Sequence, residues 1–394
     1  MASGVASKAG VQHAQKAPKK RSRLSFFNIK TGIDMTFLVL VLLLLSIGLI
    51  MLFSASYPNA LFHRGNSYVF ITNQLVFAVI GIILMMMIST VNYRVLQNFA
   101  WLIMVITIIL LIAVFFFPPI NNARRWIQTP FFNIQPSEIA KFAVVLLFAH
   151  LAVKNHEKMH LFKYGVLPFG VILVMLSGLI VLQPHLSGTI LVLGIGAIMM
   201  IIGGTSMKWF IFAAAAGVVG LLILISIPGM LDHAVVRWTY WRDPFADPQG
   251  AGFQIIQSLF AIGSGGLMGV GIGNSLQKYL YLPEPQNDFI FAIVSEELGF
   301  VGATLIILLF ALLVWRGFVI GMRCKDRFGS LMAVGLTTQV GLQTVLNIMV
   351  VTNTIPNTGV SLPFFSYGGS SLVMLLCQMG VVLAISRQTT MEKF

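Results

Sequence analysis

Long, nearly uncharged apolar stretches recur along this chain, and nothing else in the sequence restricts its fold as much. One is "MTFLVLVLLLLSIGLIMLF", residues 35–53. Wound as a helix, a run of about 20 such residues crosses the roughly 30 Å hydrocarbon core of a bilayer. Inside that core a backbone must satisfy its own hydrogen bonds, which leaves only helix bundles and closed barrels. Barrel strands alternate apolar and polar residues; these stretches do not. The expectation is an all-α polytopic membrane protein. Composition agrees, with 57% hydrophobic and 9% charged residues against about 25% charged in soluble domains.

Ten spans are expected, near 36–55, 68–91, 99–117, 137–153, 165–182, 187–203, 208–227, 288–315, 330–350 and 368–387. Most of the 25 Lys and Arg residues then fall on one side. The opposite side holds Arg64, Arg124, Arg125, Arg237, Arg242 and Lys278. Positive charge marks the cytoplasmic side, so both termini are expected there. Residues 1–33 read as a basic, disordered cytoplasmic tail, 34–387 as the membrane domain and 388–394 as a short cytoplasmic tail. The first stretch lacks the apolar core and cleavage site of a signal peptide. Cys324 and Cys377 suggest no disulfide framework. The net charge of +13 is spread as membrane topology requires, which argues against nucleic-acid binding. One loop is long: residues 228–287 form about sixty residues on the outer face, with Trp238, Tyr240, Trp241, Arg242, Asp243 and Asp247. Long loops without structure of their own are usually functional.

Only 12 residues are acidic, yet Glu284, Asp288, Glu296 and Glu297 all lie in "YLPEPQNDFIFAIVSEELGF", residues 281–300. Carboxylates are costly in lipid and mark functional sites. In a continuous helix from Asp288, Ser295 lies within about 20° of it, Glu296 about 80° away and Glu297 on the opposite face. Glu297 is thus expected to meet a different neighbour. The bland alternative for Asp288 is a helix N-cap, which leaves the two deeper glutamates unexplained. Upstream, Arg124 and Arg125 precede Trp126. They read either as snorkelling arginines beside an aromatic-belt residue or as a phosphate clamp. Glu138 and Lys141 stand three residues apart on one helix face and are expected to pair. Gln339, Gln343 and Asn347 form a polar stripe that must face other helices or a cavity.

The segment "NTGVSLPFFSYGGSSL", 357–372, reads as irregular outer backbone. Its Ser366, Ser370 and Ser371 have no evident His partner, which argues against a serine nucleophile. "HEKMH", 156–160, matches a zinc-protease pattern, but in a short basic loop without a helix or a third ligand. "GVGIG" in "GSGGLMGVGIGNS", 263–275, lacks a surrounding βαβ unit, and no Walker motif occurs. An outer-face site that makes bonds must therefore use an activated substrate. In a membrane the natural donor is a lipid-linked pyrophosphate.

Three segments, "NARRWIQTPFFNIQPSEIAK", "GFQIIQSLFAIGSGGLMGVGIGNSLQKYLYLPEPQNDFIFAIVSEELGFVG" and "LPFFSYGGSSL", closely resemble the SEDS family (shape, elongation, division and sporulation). "GLIMLFSAS", 48–56, looks more like the division branch and its sporulation relative than the elongation branch. The resemblance implies a ten-span peptidoglycan glycosyltransferase of the bacterial cytoplasmic membrane, placed at the division septum. It would polymerise lipid II with a class B penicillin-binding protein as partner transpeptidase. The family's essential aspartate falls on Asp288, its tryptophan on Trp126 and its "PSE..K" pair on Glu138 and Lys141. Arg124, Arg125, Lys278, Glu284 and Ser366 are expected to bind substrate beside them, with Glu296, Glu297, Gln339, Gln343 and Asn347 forming an intramembrane polar network. A divalent cation, Mg2+ or Mn2+, is a candidate cofactor at Asp288; no nucleotide is expected. The chain departs from the family at Asn287, usually Thr, at Asn122, commonly Gly, and at His185, usually an acid. The alternatives are a lipid II flippase, using the intramembrane polar residues as a path, and a non-catalytic division scaffold.

Overall fold

The computed structural model describes residues 32–119, 124–129, 133–215, 239, 241–250 and 252–391. Helix α1, Met35–Arg64, starts where the Asp34 carboxylate accepts from the Phe37 N–H at 3.0 Å and stops at Gly65 in the left-handed region. It is followed by α2, Val69–Thr90, and by α3, Ala100–Ala113, which tightens into a 3-10 turn to Phe116. Two short antiparallel strands come next, β1 at Ile127–Gln128 and β2 at Asn133–Ile134; the apolar periodicity gave no sign of them. The bundle continues with α4, Pro136–Lys154, α5, Leu167–Val181, α6, Leu186–Gly203, and α7 over 207–215. Last come α8, Phe253–Gly265, α9, Ile290–Arg323, α10, Arg327–Val351, and α11, Gly369–Met391.

Among the described residues, eight helices are long and apolar enough to cross a bilayer, and the 99–117 span is a shorter apolar helix, Ala100–Phe116. The expected span 208–227 lies only partly within the described residues. The protein is thus a polytopic helical membrane protein. Helix α4 is its centre: Ala143 to Ala149 are fully buried, as suits a helix that is apolar on every side. The other helices pack around it, α4 against α6, α2 against α11 and α9 against both α1 and α10.

Two polar contacts give the height of the bundle. At the end bearing Lys154, Arg323 and Arg327, the basic end, Arg316 donates to Asp34 at 2.7 Å. At the other end, the Ser54 hydroxyl donates to the Glu297 carboxylate at 2.7 Å. These pairs lie some 19–20 residues apart on each helix, or about 30 Å, which matches the hydrocarbon thickness.

The expected continuous span 288–315 is not what forms. Helix α9 begins at Ile290 and is broken at Gly299, with φ 68° and ψ −171°. The break orphans backbone groups, and the glycine-rich segment after α8 supplies their partners. The Val270 and Gly271 N–H groups donate to the carbonyls of Glu296 and Glu297, both at 3.0 Å. Beyond the break, the Phe300 and Val301 N–H groups donate to the carbonyls of Gly266 and Leu267, at 2.9 and 3.1 Å. Non-helical backbone at this depth is tolerated only when it is satisfied in this way. The approach needs glycine, because a Cβ on Gly299 would overlap the Gly269 nitrogen and one on Gly269 would overlap the Glu297 carbonyl. The long loop 228–287 therefore has structure of its own in its described part: a 3-10 turn at Pro244–Ala246, α8 and this docked segment. Trp238 and Tyr240 lie outside the described residues.

Gly299→Ala is expected to cost roughly 2–6 kcal/mol, from left-handed strain plus overlap. Gly263→Ala, at a helical position with open space around it, is expected to be neutral or stabilising by about 1 kcal/mol. Thermal unfolding of both variants in detergent checks the contrast, and equal transitions would mean that the break does not require glycine.

Candidate active site

Asp288 sits on the turn that enters α9. The turn is shaped by Glu284, at φ 47°, whose carboxylate accepts from the side-chain amides of Gln286 at 2.6 Å and Asn287 at 3.2 Å. Glu284 is exposed and acts on its own turn. The N-cap of α9 is Phe289, with no side-chain capping bond. The simple capping explanation for Asp288 therefore fails.

Three successive carbonyls of this turn are fixed from outside. The Tyr367 N–H donates to Gln286 at 2.9 Å, the Ser366 hydroxyl to Asn287 at 2.7 Å and the Asn347 amide to Asp288 at 2.7 Å. Asn347 also donates to the Val360 carbonyl at 2.6 Å, tying the irregular segment 357–368 to the same point. Gly359 of that segment, at φ 72°, faces the carboxylate: a Cβ there would stand 3.0 Å from Asp288 Oδ2. Gln74 steadies the far end, donating to the Ser366 carbonyl at 3.3 Å and accepting from the Gly368 N–H at 3.2 Å. The backbone of Asp288 is thus clamped, and no hydrogen bond engages its carboxylate among the described residues.

Burial pushes the half-buried Asp288 carboxyl up to about 6, and the nearby Arg125 guanidinium pulls against that shift. His185 shares the neighbourhood. Burial first, then Arg125 and Lys141, lower its imidazole to about 3, so it is neutral at physiological pH. Where the resembling family carries an acid, this chain places a neutral ring with its Nδ1 buried and unpartnered. Arg125 donates to the Pro184 carbonyl, which links the segment before β1 to the start of α6.

The polar stripe of α10 faces this region as expected. Below Asn347, Gln343 accepts from Lys141 at 2.9 Å and donates to the Ser361 carbonyl at 2.9 Å. Lys141 pairs with Glu138 at 2.8 Å. Deeper, Gln339 donates to Gln378 at 2.9 Å.

Other expectations are corrected. Arg124 and Arg125 diverge, since Arg124 is exposed and turns back to the Phe115 carbonyl at 3.0 Å. A two-armed phosphate clamp is therefore not assembled, and Arg125 is the arginine near Asp288. Trp126 is half-buried just ahead of β1. Ser366 spends its hydroxyl on Asn287 and on the Leu362 N–H, at 2.8 Å, so it positions rather than binds. Lys278 is fully buried and donates to Glu297 at 2.8 Å and to Ser54 at 3.3 Å, with no face left for a substrate. Glu296 accepts from the Ser275 hydroxyl and from the Leu276 N–H at 2.9 Å. Glu296 and Glu297 do meet different neighbours. Neither leads inward from Asp288: both anchor the glycine-rich segment. Sequence reasoning read Gly359 only as part of irregular backbone, with no role beside Asp288, and missed Gln74 and Gly299. A lone glutamine in the apolar run of α2 was a readable signal, whereas Gly299 carried none.

Removing one member of a buried ion pair costs about 3–5 kcal/mol, whereas replacing both can be neutral. Lys278→Met is expected to unfold at clearly lower temperature than wild type, and Lys278→Met with Glu297→Leu to recover most of the loss. A double variant as unstable as the single one would return Lys278 to a role beyond the pair.

A family model described as "Cell cycle protein", covering FtsW, RodA and SpoVE, matches residues 34–391. Stage V sporulation protein E of Bacillus subtilis strain 168 is 43% identical over 364 residues, 91% of this chain and 98% of that protein. A probable peptidoglycan glycosyltransferase FtsW of Trichlorobacter lovleyi is 36% identical over 357 residues, 90% of this chain and 93% of that protein. Among solved structures, a chain from a peptidoglycan synthase complex aligns with TM-score 0.74 at 27% identity, covering 91% of this chain and 98% of that one. The rod shape determining protein RodA of Thermus thermophilus aligns with TM-score 0.66 at 26% identity, covering 91% and 97%.

Proposed function

The chain belongs to the FtsW/RodA/SpoVE family, and from that premise we propose that it is a peptidoglycan glycosyltransferase that polymerises lipid II at the outer face of the cytoplasmic membrane. The basic end of the bundle is then cytoplasmic, and Asp288 faces outward. The observation that carries the reading is the Asp288 carboxylate, unengaged on a clamped turn beside Arg125. Relatives named as probable peptidoglycan glycosyltransferases support it.

Asp288 accepts the proton of the acceptor sugar's 4-hydroxyl. The oxygen forms a bond to the donor's anomeric carbon, and the bond from that carbon to undecaprenyl pyrophosphate breaks. The donor is α-linked and the glycan β-linked, so a single inversion with a single base suffices. A carboxyl near 6 is mostly ionised at neutral pH yet remains basic enough to take the proton. Arg125 stabilises the charge that develops on the leaving pyrophosphate. Mg2+ typically binds one or two carboxylates together with substrate phosphates. Asp288 and the pyrophosphate fit that donor set, and the ion would offset leaving-group charge. The proposed partner is a class B penicillin-binding protein, in line with the similar chain solved in a synthase complex. The proposed setting is septal wall synthesis, in line with a family model described as a cell cycle protein.

One observation speaks for the flippase alternative: polar side chains run inward from Asn347 through Gln343 to the Gln339–Gln378 pair. Past Gln378, which lines it, the column meets a mainly apolar cavity whose other walls include Ile88, Val91, Leu96, Phe142 and Val381, which favours chemistry at the outer face over a polar path through the membrane.

Wild type and Asp288→Asn, each co-purified with the class B partner, are expected to differ at least about 100-fold in glycan-chain formation from lipid II, with Mg2+ or Mn2+ and without. Folded Asp288→Asn that polymerises at the wild-type rate would refute the assignment. Loss of polymer formation in both proteins, with headgroup translocation in proteoliposomes, would favour the flippase. The pH profile of kcat/KM should fall below about 6, where the base becomes protonated. Arg125→Ala should move that limb to higher pH, because the arginine opposes the upward shift.

A further inference from the structure

At the basic end, the loop between α4 and α5 packs against the start of α7. Lys154, Lys158, Lys163 and Lys208 are exposed there, and none forms an ion pair among the described residues. The aromatic residues beneath them are ordered. The Lys158 and Lys163 ammonium groups lie 5.2 and 5.9 Å from the Tyr164 ring, and Lys208 lies 5.8 Å from Trp209. Trp209 packs on Phe162 with ring centroids 4.9 Å apart.

The platform is tied down. The Trp209 indole N–H donates to the His160 carbonyl at 3.3 Å, the Thr205 hydroxyl to Gly165 at 3.0 Å and the Asn155 amide to Tyr164 at 3.4 Å. The "HEKMH" stretch belongs to it: residues His156–Lys158 form a 3-10 turn, so the two histidines do not share a helix face as a zinc site requires. Around the lysines, Leu161, Phe162, Met207, Ile211 and Phe212 are 45–68% exposed. This apolar rim lies level with the ends of the spanning helices α4 and α6.

We infer that this loop platform binds an anionic phospholipid headgroup of the leaflet at the basic end. Two ammonium groups over one ring repel each other, and an anionic phosphate among the lysines relieves that repulsion. The apolar rim beside them meets acyl chains, which a soluble acidic protein would not supply. The inference is independent of the chemistry at Asp288. Each lysine near a negative lipid surface favours binding about fivefold.

The test is quenching of Trp209 fluorescence in vesicles of brominated phosphatidylglycerol against brominated phosphatidylcholine, using full-length protein. The signal of a Trp209→Phe variant is subtracted to remove the other tryptophans. Brominated phosphatidylglycerol is expected to quench Trp209 more strongly. The preference should fall about fivefold per lysine on Lys158→Gln, Lys163→Gln and Lys208→Gln, and collapse near 1 M salt, where screening reaches about 3 Å. Equal quenching by the two lipids in wild type would overturn the inference and leave the lysines to a soluble acidic partner. A preference that survives both the three substitutions and salt would overturn it as well.

Discussion

The break in α9 at Gly299 is the constraint on which the half of the molecule opposite the basic end depends. Four backbone groups lose their helical partners there, and one glycine-rich segment satisfies all four. A buried group left without its bond costs about 1–3 kcal/mol, so detaching the segment costs on the order of 4–12 kcal/mol. That is comparable with the whole stability of a typical domain, so break and segment form together. Glu296 and Glu297 reinforce the junction through different partners, and through Ser54 the junction takes its height from α1.

Asp288 inherits that rigidity. Its turn leaves the docked segment on one side and enters the short piece of α9 before Gly299 on the other. Donors from α10 and from 366–367 then fix three carbonyls in a row. The Asp288 side chain, the proposed general base, is thus placed by its backbone. Its proton affinity follows from two opposed influences, burial and Arg125, and burial prevails. The neutral His185 beside Arg125 adds no negative charge to compete for that guanidinium.

Membrane class, most span positions and the Glu138–Lys141 pair were legible because hydropathy and i,i+3 spacing act locally. The stripe Gln339, Gln343 and Asn347 was legible for the same reason: period-four polarity on an apolar helix must face protein. Lys278 shows where this logic stops. It was expected to bind substrate, and only the fold brought it against Glu297 and Ser54. Arg124 and Arg125 are neighbours in sequence, yet their side chains turn to different carbonyls, a choice no residue pattern contains.

By itself the sequence determined a polytopic helical bundle, its basic side and a carboxylate-rich segment at the opposite end, because transfer into hydrocarbon is a property of residues taken one run at a time. The resemblance already pointed to Asp288, but the tertiary structure alone decided what holds each carboxylate. Glu296 and Glu297 are consumed in holding a broken helix together, whereas Asp288 is held by its backbone and its carboxylate makes no hydrogen bond among the described residues. That division depends on which chain segment fills the break at Gly299, a long-range pairing of backbone groups that every residue carries alike and that no side-chain pattern can encode.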